Sequence, residues 1–211
     1  IDIFLKTERI RTMCGIAEGT VKLDLSKRNL DPSNVRLLAV ELESKRATAG
    51  LEAMDISGNQ LIGLDEDGDG TEDHAGWEAL CEVLPKSAIK SFKAAECQLN
   101  PKAITKLAST LATAGLERVD ISENPIGGEG GTALVDAIPS SSLKTIKIGT
   151  SFEVTINECS GAALDCSNQK LGPGQLVVLS WWLSTEDTAG VAEVDISCLL
   201  YTSDAADDLF R

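Results

Sequence analysis

A chain of 211 residues with 43% hydrophobic content suffices for one elongated domain or two compact ones, and 4% aromatic content points to an aliphatic core. A net charge of −14 is the opposite of what nucleic acid or an anionic membrane surface would require. No apolar run approaches the ~18 residues that span a bilayer.

Taken in order, residues 1–19 read as the close of a preceding structural unit, because residues 5–12 (LKTERIRT) parallel 143–150 (LKTIKIGT). A second echo sets LDLSKRNLDPS, from Leu23, beside LDCSNQKLGPG, from Leu164. Together they describe a duplication of about 140 residues built from shorter units. Short strands with alternating inward residues are expected at Leu23/Leu25, Met54/Ile56, Phe92/Ala94, Val119/Ile121, Ile146/Ile148, Leu164/Cys166 and Val194/Ile196. Most lie about 27–31 residues apart, which leaves room for a helix between neighbours.

The helices are predicted over 33–44, 76–84, 101–112, 131–138 and 174–183. In the first, Val35, Leu38 and Leu42 share one face; in the last, Leu176, Leu179 and Leu183 are expected in the core. Asn100 followed by Pro101 is a good helix start. Gly50 and Gly115 suit helix-to-strand turns with positive φ. One interval, from Ile146 to Leu164, is too short for a helix, and its alternating SFEVTIN suggests a small β excursion.

Another interval is lengthened by the acidic insertion LDEDGDGTEDHAG. Asp65, Asp67, Asp69 and Gly70 match the opening of an EF-hand loop, and the three aspartates are the candidate metal ligands. The match then fails, with Gly76 where a bidentate Glu is needed and Glu72 where an apolar residue is usual. A solvated loop holding cations weakly at most is therefore expected. Residues 127–131 (GGEGG) lack the Lys and Ser/Thr of a phosphate-binding loop and read as a turn. Trp181 and Trp182 are expected to fill grooves between units. The six cysteines (14, 81, 97, 159, 166 and 198) include no C-x-x-C pair; Cys81 and Cys166 read as apolar fillers, which suits a reducing, intracellular compartment. With one histidine, His74, and no cofactor motif, nothing points to catalysis or a cofactor.

The units themselves carry a recognisable pattern. Leu116, Val119, Ile121, Asn124 and Ile126 fill the template L-x-x-L-x-L-x-x-N-x-L, as do Leu51, Met54, Ile56, Asn59 and Leu61. Ile89, Phe92, Ala94, Cys97 and Leu99 fill it again with Cys at the Asn position. The chain thus resembles the leucine-rich repeat family, in its ribonuclease-inhibitor-like class. That resemblance implies an α/β solenoid, a horseshoe with parallel strands on the concave side and helices on the convex side, over residues 1–197. An Asn where the chain turns away can both donate and accept, and a Cys does so only weakly, so a thinner ladder is expected at Cys97.

Residues 198–211 break the pattern and resemble the translation of a transposon-end sequencing adapter; they are read as non-native, and the repeat domain as a fragment truncated at both ends. The resemblance further implies a non-enzymatic protein-interaction module binding on its concave face or loop rim. The outward strand positions there are Asp24, Asp55, Lys93, Asp120, Lys147, Asp165 and Asp195. Five aspartates among them, with the net charge, suggest a basic protein partner, and solvent-facing side chains are expected to tolerate charge reversal. The alternatives are a regulator like the GTPase-activating proteins of this repeat class, or a ligand-sensing piece of a larger receptor.

Overall fold

The computed structural model describes residues 11–65, 67–158 and 162–197. The echo at residues 5–10, Cys159, Cys198 and the tail 198–211 lie outside them. Every expected strand is present and three residues long: β1 (Lys22–Asp24), β2 (Ala53–Asp55), β3 (Ser91–Lys93), β4 (Arg118–Asp120), β5 (Thr145–Lys147), β7 (Ala163–Asp165) and β8 (Glu193–Asp195). The β excursion is β6 (Glu153–Thr155). β1 to β5 pair in parallel and in sequence order, with Leu23, Met54, Phe92, Val119 and Ile146 in one cross-strand register. The fold is α/β with a mostly parallel six-stranded sheet.

The expectation of seven parallel strands along one wall needs correcting. β6 turns back and pairs antiparallel with β5, Val154 opposite Ile146. A parallel neighbour needs a crossover of a dozen or more residues, whereas an antiparallel one needs only a tight loop. Here Ile148 and Gly149 N–H both donate to Phe152 O at 3.1 Å. β6 therefore occupies the edge that a sixth parallel strand would need, and β7 pairs with β8 in a separate two-stranded sheet.

Each parallel step is made by a helix: α1 (Pro32–Ser44), α2 (Ala75–Val83), α3 (Pro101–Leu111), α4 (Gly127–Ala137) and, before β8, α5 (Pro173–Leu183). α1 opens on a reciprocal cap, Asn34 N–H donating to Asp31 Oδ1 at 2.8 Å and Asp31 N–H to Asn34 Oδ1 at 3.2 Å. Asn100 caps α3 as expected, accepting from Ala103 N–H. Val35, Leu38 and Leu42 are buried together on α1. α1 packs on α2, α3 on α4 and α4 on α5.

Three expectations about glycine and helix faces change. Residues 127–131 form the first turn of α4, not a turn before it. Glycine costs helix stability, but here it permits contact with the next helix. A Cβ on Gly131 would stand 2.4 Å from Gly174 O, and one on Gly174 only 2.1 Å from Gly127 O. Gly50 and Gly115 have open space around them and do not take positive φ. That conformation falls instead on residues after the strands, among them Lys27, Asn29, Glu96, Gln98, Asn168 and Lys170. Finally, α5 buries Gly174, Gln175, Val178, Leu179 and Trp182, leaving Leu176 and Leu183 partly exposed.

The turns after the strands are held by side chains reaching back from the next unit. Asn59 Oδ1 accepts from Arg28 and Leu30 N–H at 3.0 and 2.9 Å, and its Nδ2 donates to Leu25, Ile56 and Ser57 O. Asn124 repeats this, accepting from Cys97 and Leu99 N–H and donating to Ala94, Ile121 and Ser122 O. Both are buried. Cys97 offers only its thiol, 3.1 Å from Ala95 O and 3.5 Å from Ile56 O. The aromatic residues fill gaps between units: Trp77 donates to Ala103 O at 2.8 Å and lies against Phe92, and Trp182 donates to Thr155 O and meets Phe152 edge-on.

Candidate functional site

The register sets Asp24, Asp55, Lys93, Asp120 and Lys147 side by side on the solvent face of β1 to β5, with Glu153 of β6 after them. Asp165 and Asp195 form their own pair on β7 and β8. The seven outward positions thus divide between two sheets. The larger row alternates in sign at its centre: Lys93 Nζ lies 3.7 Å from Asp55, and Lys147 Nζ 3.6 Å from Asp120. Asp24 carries the unmatched charge at the β1 end, and the two-stranded sheet is purely acidic along this row.

These aspartates also have work inside the fold. Oδ1 of Asp24, Asp55, Asp120, Asp165 and Asp195 accepts the N–H of the serine two residues on, at 2.9 to 3.1 Å. At Asp24, Asp120 and Asp165 the serine hydroxyl donates to the same oxygen at 2.6 Å. Ser57 instead turns its hydroxyl to Ala95 N–H in the next unit. The two lysine strands carry Ala95 and Gly149 where the others carry serine. Side chains that bond their own backbone two residues on form Asx turns, so Asp at this place closes the strand. Hydrogen bonds from Ser26 and from Ser167 hold the Asp24 and Asp165 carboxyls below the usual carboxylate range. The expected tolerance to charge reversal is therefore corrected: Asp55→Lys or Asp120→Lys removes a turn acceptor and an ion-pair partner together.

Where the strands of the larger sheet end, the following loops and the turn after β7 surround a polar depression of about 660 Å³. Lys27 pairs with Glu96 across it at 3.6 Å, and Lys170 is ion-paired with Glu123. Both lysines are thus matched by carboxylates of other units. Asp65 and Asp67 line the depression as well, from the acidic insertion.

That insertion folds back on itself through an antiparallel bridge between Leu64 and Gly70. Asp65 Oδ1 accepts from Asp67 and Asp69 N–H at 3.1 and 2.9 Å, so its carboxylate closes the loop. Asp67 and Asp69 are exposed. No group of three or more His, Cys, Asp or Glu side chains able to hold a metal ion exists among the described residues. His74 is buried and bonded to Glu72, which also accepts from Asn100 Nδ2.

Two features were not singled out in the sequence. Glu41 is fully buried in α1, and its Oε2 accepts from Met13 N–H at 2.6 Å and Cys14 N–H at 3.3 Å, fastening the segment before β1. Its Oε1 has no hydrogen-bond partner among the described residues. The second is the Asp-x-Ser triplet that stands at five of the strand ends. The described cysteines are poor nucleophiles, since burial raises the Cys97 thiol to about 12 and those of Cys14 and Cys166 to about 11. No described helix is long and apolar enough to cross a membrane. No protein-family model matches the chain, and no curated protein matches it.

Proposed function

We propose that this chain is a leucine-rich repeat solenoid of the ribonuclease-inhibitor-like class, acting as a non-enzymatic module that binds a basic protein partner. The repeat reading is supported by strands pairing in sequence order, a helix at each parallel step, and amides that reach from one turn into the preceding one. Such stacks offer extended surfaces that no single unit possesses.

One observation carries the binding reading. The loop-rim depression draws its walls from several units, and its two lysines are already satisfied by Glu96 and Glu123. Asp65 and Asp67 are left as its uncompensated charges. A cationic side chain from a partner finds carboxylates there and meets no free lysine in the depression. The strand face, alternating in sign at its centre, supplies orientation more than attraction.

The test uses peptides of equal length and opposite charge, with association followed at several salt concentrations. Basic peptides should bind, and Asp65→Asn with Asp67→Asn should slow their association and flatten its salt dependence. Equal binding of acidic peptides, or indifference to both substitutions and salt, would contradict the proposal.

A further inference from the structure

The last described unit leaves open a face that the first unit buries. The internal duplication sets Pro32 against Pro173 and Asp55 against Asp195, about 140 residues apart. On that register Val35, Leu38, Leu42, Met54 and Ile56 correspond to Leu176, Leu179, Leu183, Val194 and Ile196. The first five are at most 2% exposed. They are covered because α2 packs on α1 and β3 takes the outer edge of β2, with Ile56 N–H donating to Lys93 O at 2.9 Å and Gly58 N–H to Ala95 O at 2.8 Å. In the second set Ile196 is 46% exposed, and all five residues line an apolar groove of about 440 Å³. Among the described residues, β8 pairs with β7 alone.

A second observation comes from the backbone of the turn after β7. Asn168 and Lys170 take positive φ at the places where Lys27 and Asn29 do so after β1. In the earlier turn the N–H groups between and after those residues, on Arg28 and Leu30, donate to Asn59 Oδ1. Their equivalents are Gln169 and Leu171, and no described residue accepts from either N–H. Asn59 stands two residues beyond the Asp-x-Ser triplet of its unit, as Asn124 does in its own. The matching acceptor for the later turn would stand two residues beyond Ser197.

We propose that the groove, the free edge of β8 and the turn at Gln169 and Leu171 form one docking surface for a further strand–turn–helix unit of this chain's own kind. Such a unit brings an apolar strand and helix face to Leu176, Leu183, Val194 and Ile196, a strand to the edge of β8, and an Asn side chain to the two amides. Its counterpart is already in the chain, as the segment that covers β2 and α1. The proposal rests on the repeat reading but not on the basic partner.

The test replaces residues 198–211 with a second copy of residues 58–95, which places the copied Asn59 two residues after Ser197. Amide hydrogen exchange is compared before and after. Docking should slow exchange at Ile196, Gln169 and Leu171 by about tenfold or more. The same graft carrying Asn59→Leu should protect Ile196 while leaving Gln169 and Leu171 unprotected. Unchanged exchange at Ile196 would overturn the proposal. So would a dimer of the starting protein that persists in the grafted one, since the groove would then belong to a second copy. Exchange at Arg28, Leu30, Cys97 and Leu99 in the same samples reports on the repeat reading separately: those amides should be protected with or without the graft.

Discussion

From β1 to β4 each strand gives its outer edge to the next strand in parallel; β5 gives its edge to β6 in the opposite sense, and β6 does not pair with β7. The strands themselves hardly differ, since Ile146 and Ile148 are as buried as Met54 and Ile56. The difference lies in what connects them. An interval with room for a helix returns the chain in parallel, whereas the short interval after β5 turns it back as β6. Yet one feature survives the break. Gln169, at the place of Asn59 and Asn124, still reaches back, its Oε1 accepting from Ser151 N–H at 2.8 Å and from the Ser151 hydroxyl at 3.0 Å. These two units are therefore joined by a turn amide although their strands are not paired.

The largest effect that bears on this comparison is expected at Asn124. Asn124→Leu removes five buried hydrogen bonds and leaves backbone groups of two units unpaired, a loss of about 3–4 kcal/mol in denaturant unfolding. Gln169→Leu, whose bonds to Ser151 are exposed, should cost about 1 kcal/mol. Equal losses at the two sites would erase the distinction between the regular and broken regions.

Helix contact gives an intermediate effect. Gly131→Ala forces a Cβ against Gly174 O and should cost about 2–3 kcal/mol, because backbone rather than a flexible side chain must yield. Gly115→Ala meets nothing and should be neutral or stabilising by up to about 1 kcal/mol. Thermal unfolding of the pair separates a packing glycine from one that packs against nothing.

The smallest effects lie on the strand face. Asp120→Ala loses the Ser122 turn bonds and the Lys147 ion pair, for about 1 kcal/mol. Lys93→Ala loses only a half-exposed ion pair and should stay within about 0.5 kcal/mol. If Asp120→Asn, which keeps an acceptor oxygen, proved as damaging as Asp120→Ala, the ion pair rather than the turn would be the aspartate's main contribution.

Period-2 alternation made every strand core legible, because each three-residue strand has one inward residue at its centre and the template supplied it together with the next inward residue, just past the strand. The start of α4 was hidden by its glycines, whose low helix propensity argues for a turn; the close approach of Gly174, about 43 residues further on, overrides it. The buried face of α5 was illegible for another reason. LVVLSWWL is apolar on all sides, so periodicity selects no face, and Gln175, which donates to Asn124 O, became the buried polar residue. For the candidate site, the outward strand positions were readable but their charge balance was not. It depends on which unit's lysine lies beside which unit's aspartate, a matter of register across the sheet. The acidic insertion was visible as a loop, while its place beside Glu96 and Glu123 followed only from the packing of distant units.

The central claim is that a turn is held by the side chain of the unit that follows it. Amide exchange in Asn59→Leu, measured residue by residue, tests it most directly. Arg28 and Leu30 N–H, about 30 residues earlier in the chain, should lose most of their protection, while Cys97 and Leu99, held by Asn124, should keep theirs. Loss confined to the neighbourhood of residue 59, with Arg28 and Leu30 still protected, would contradict it.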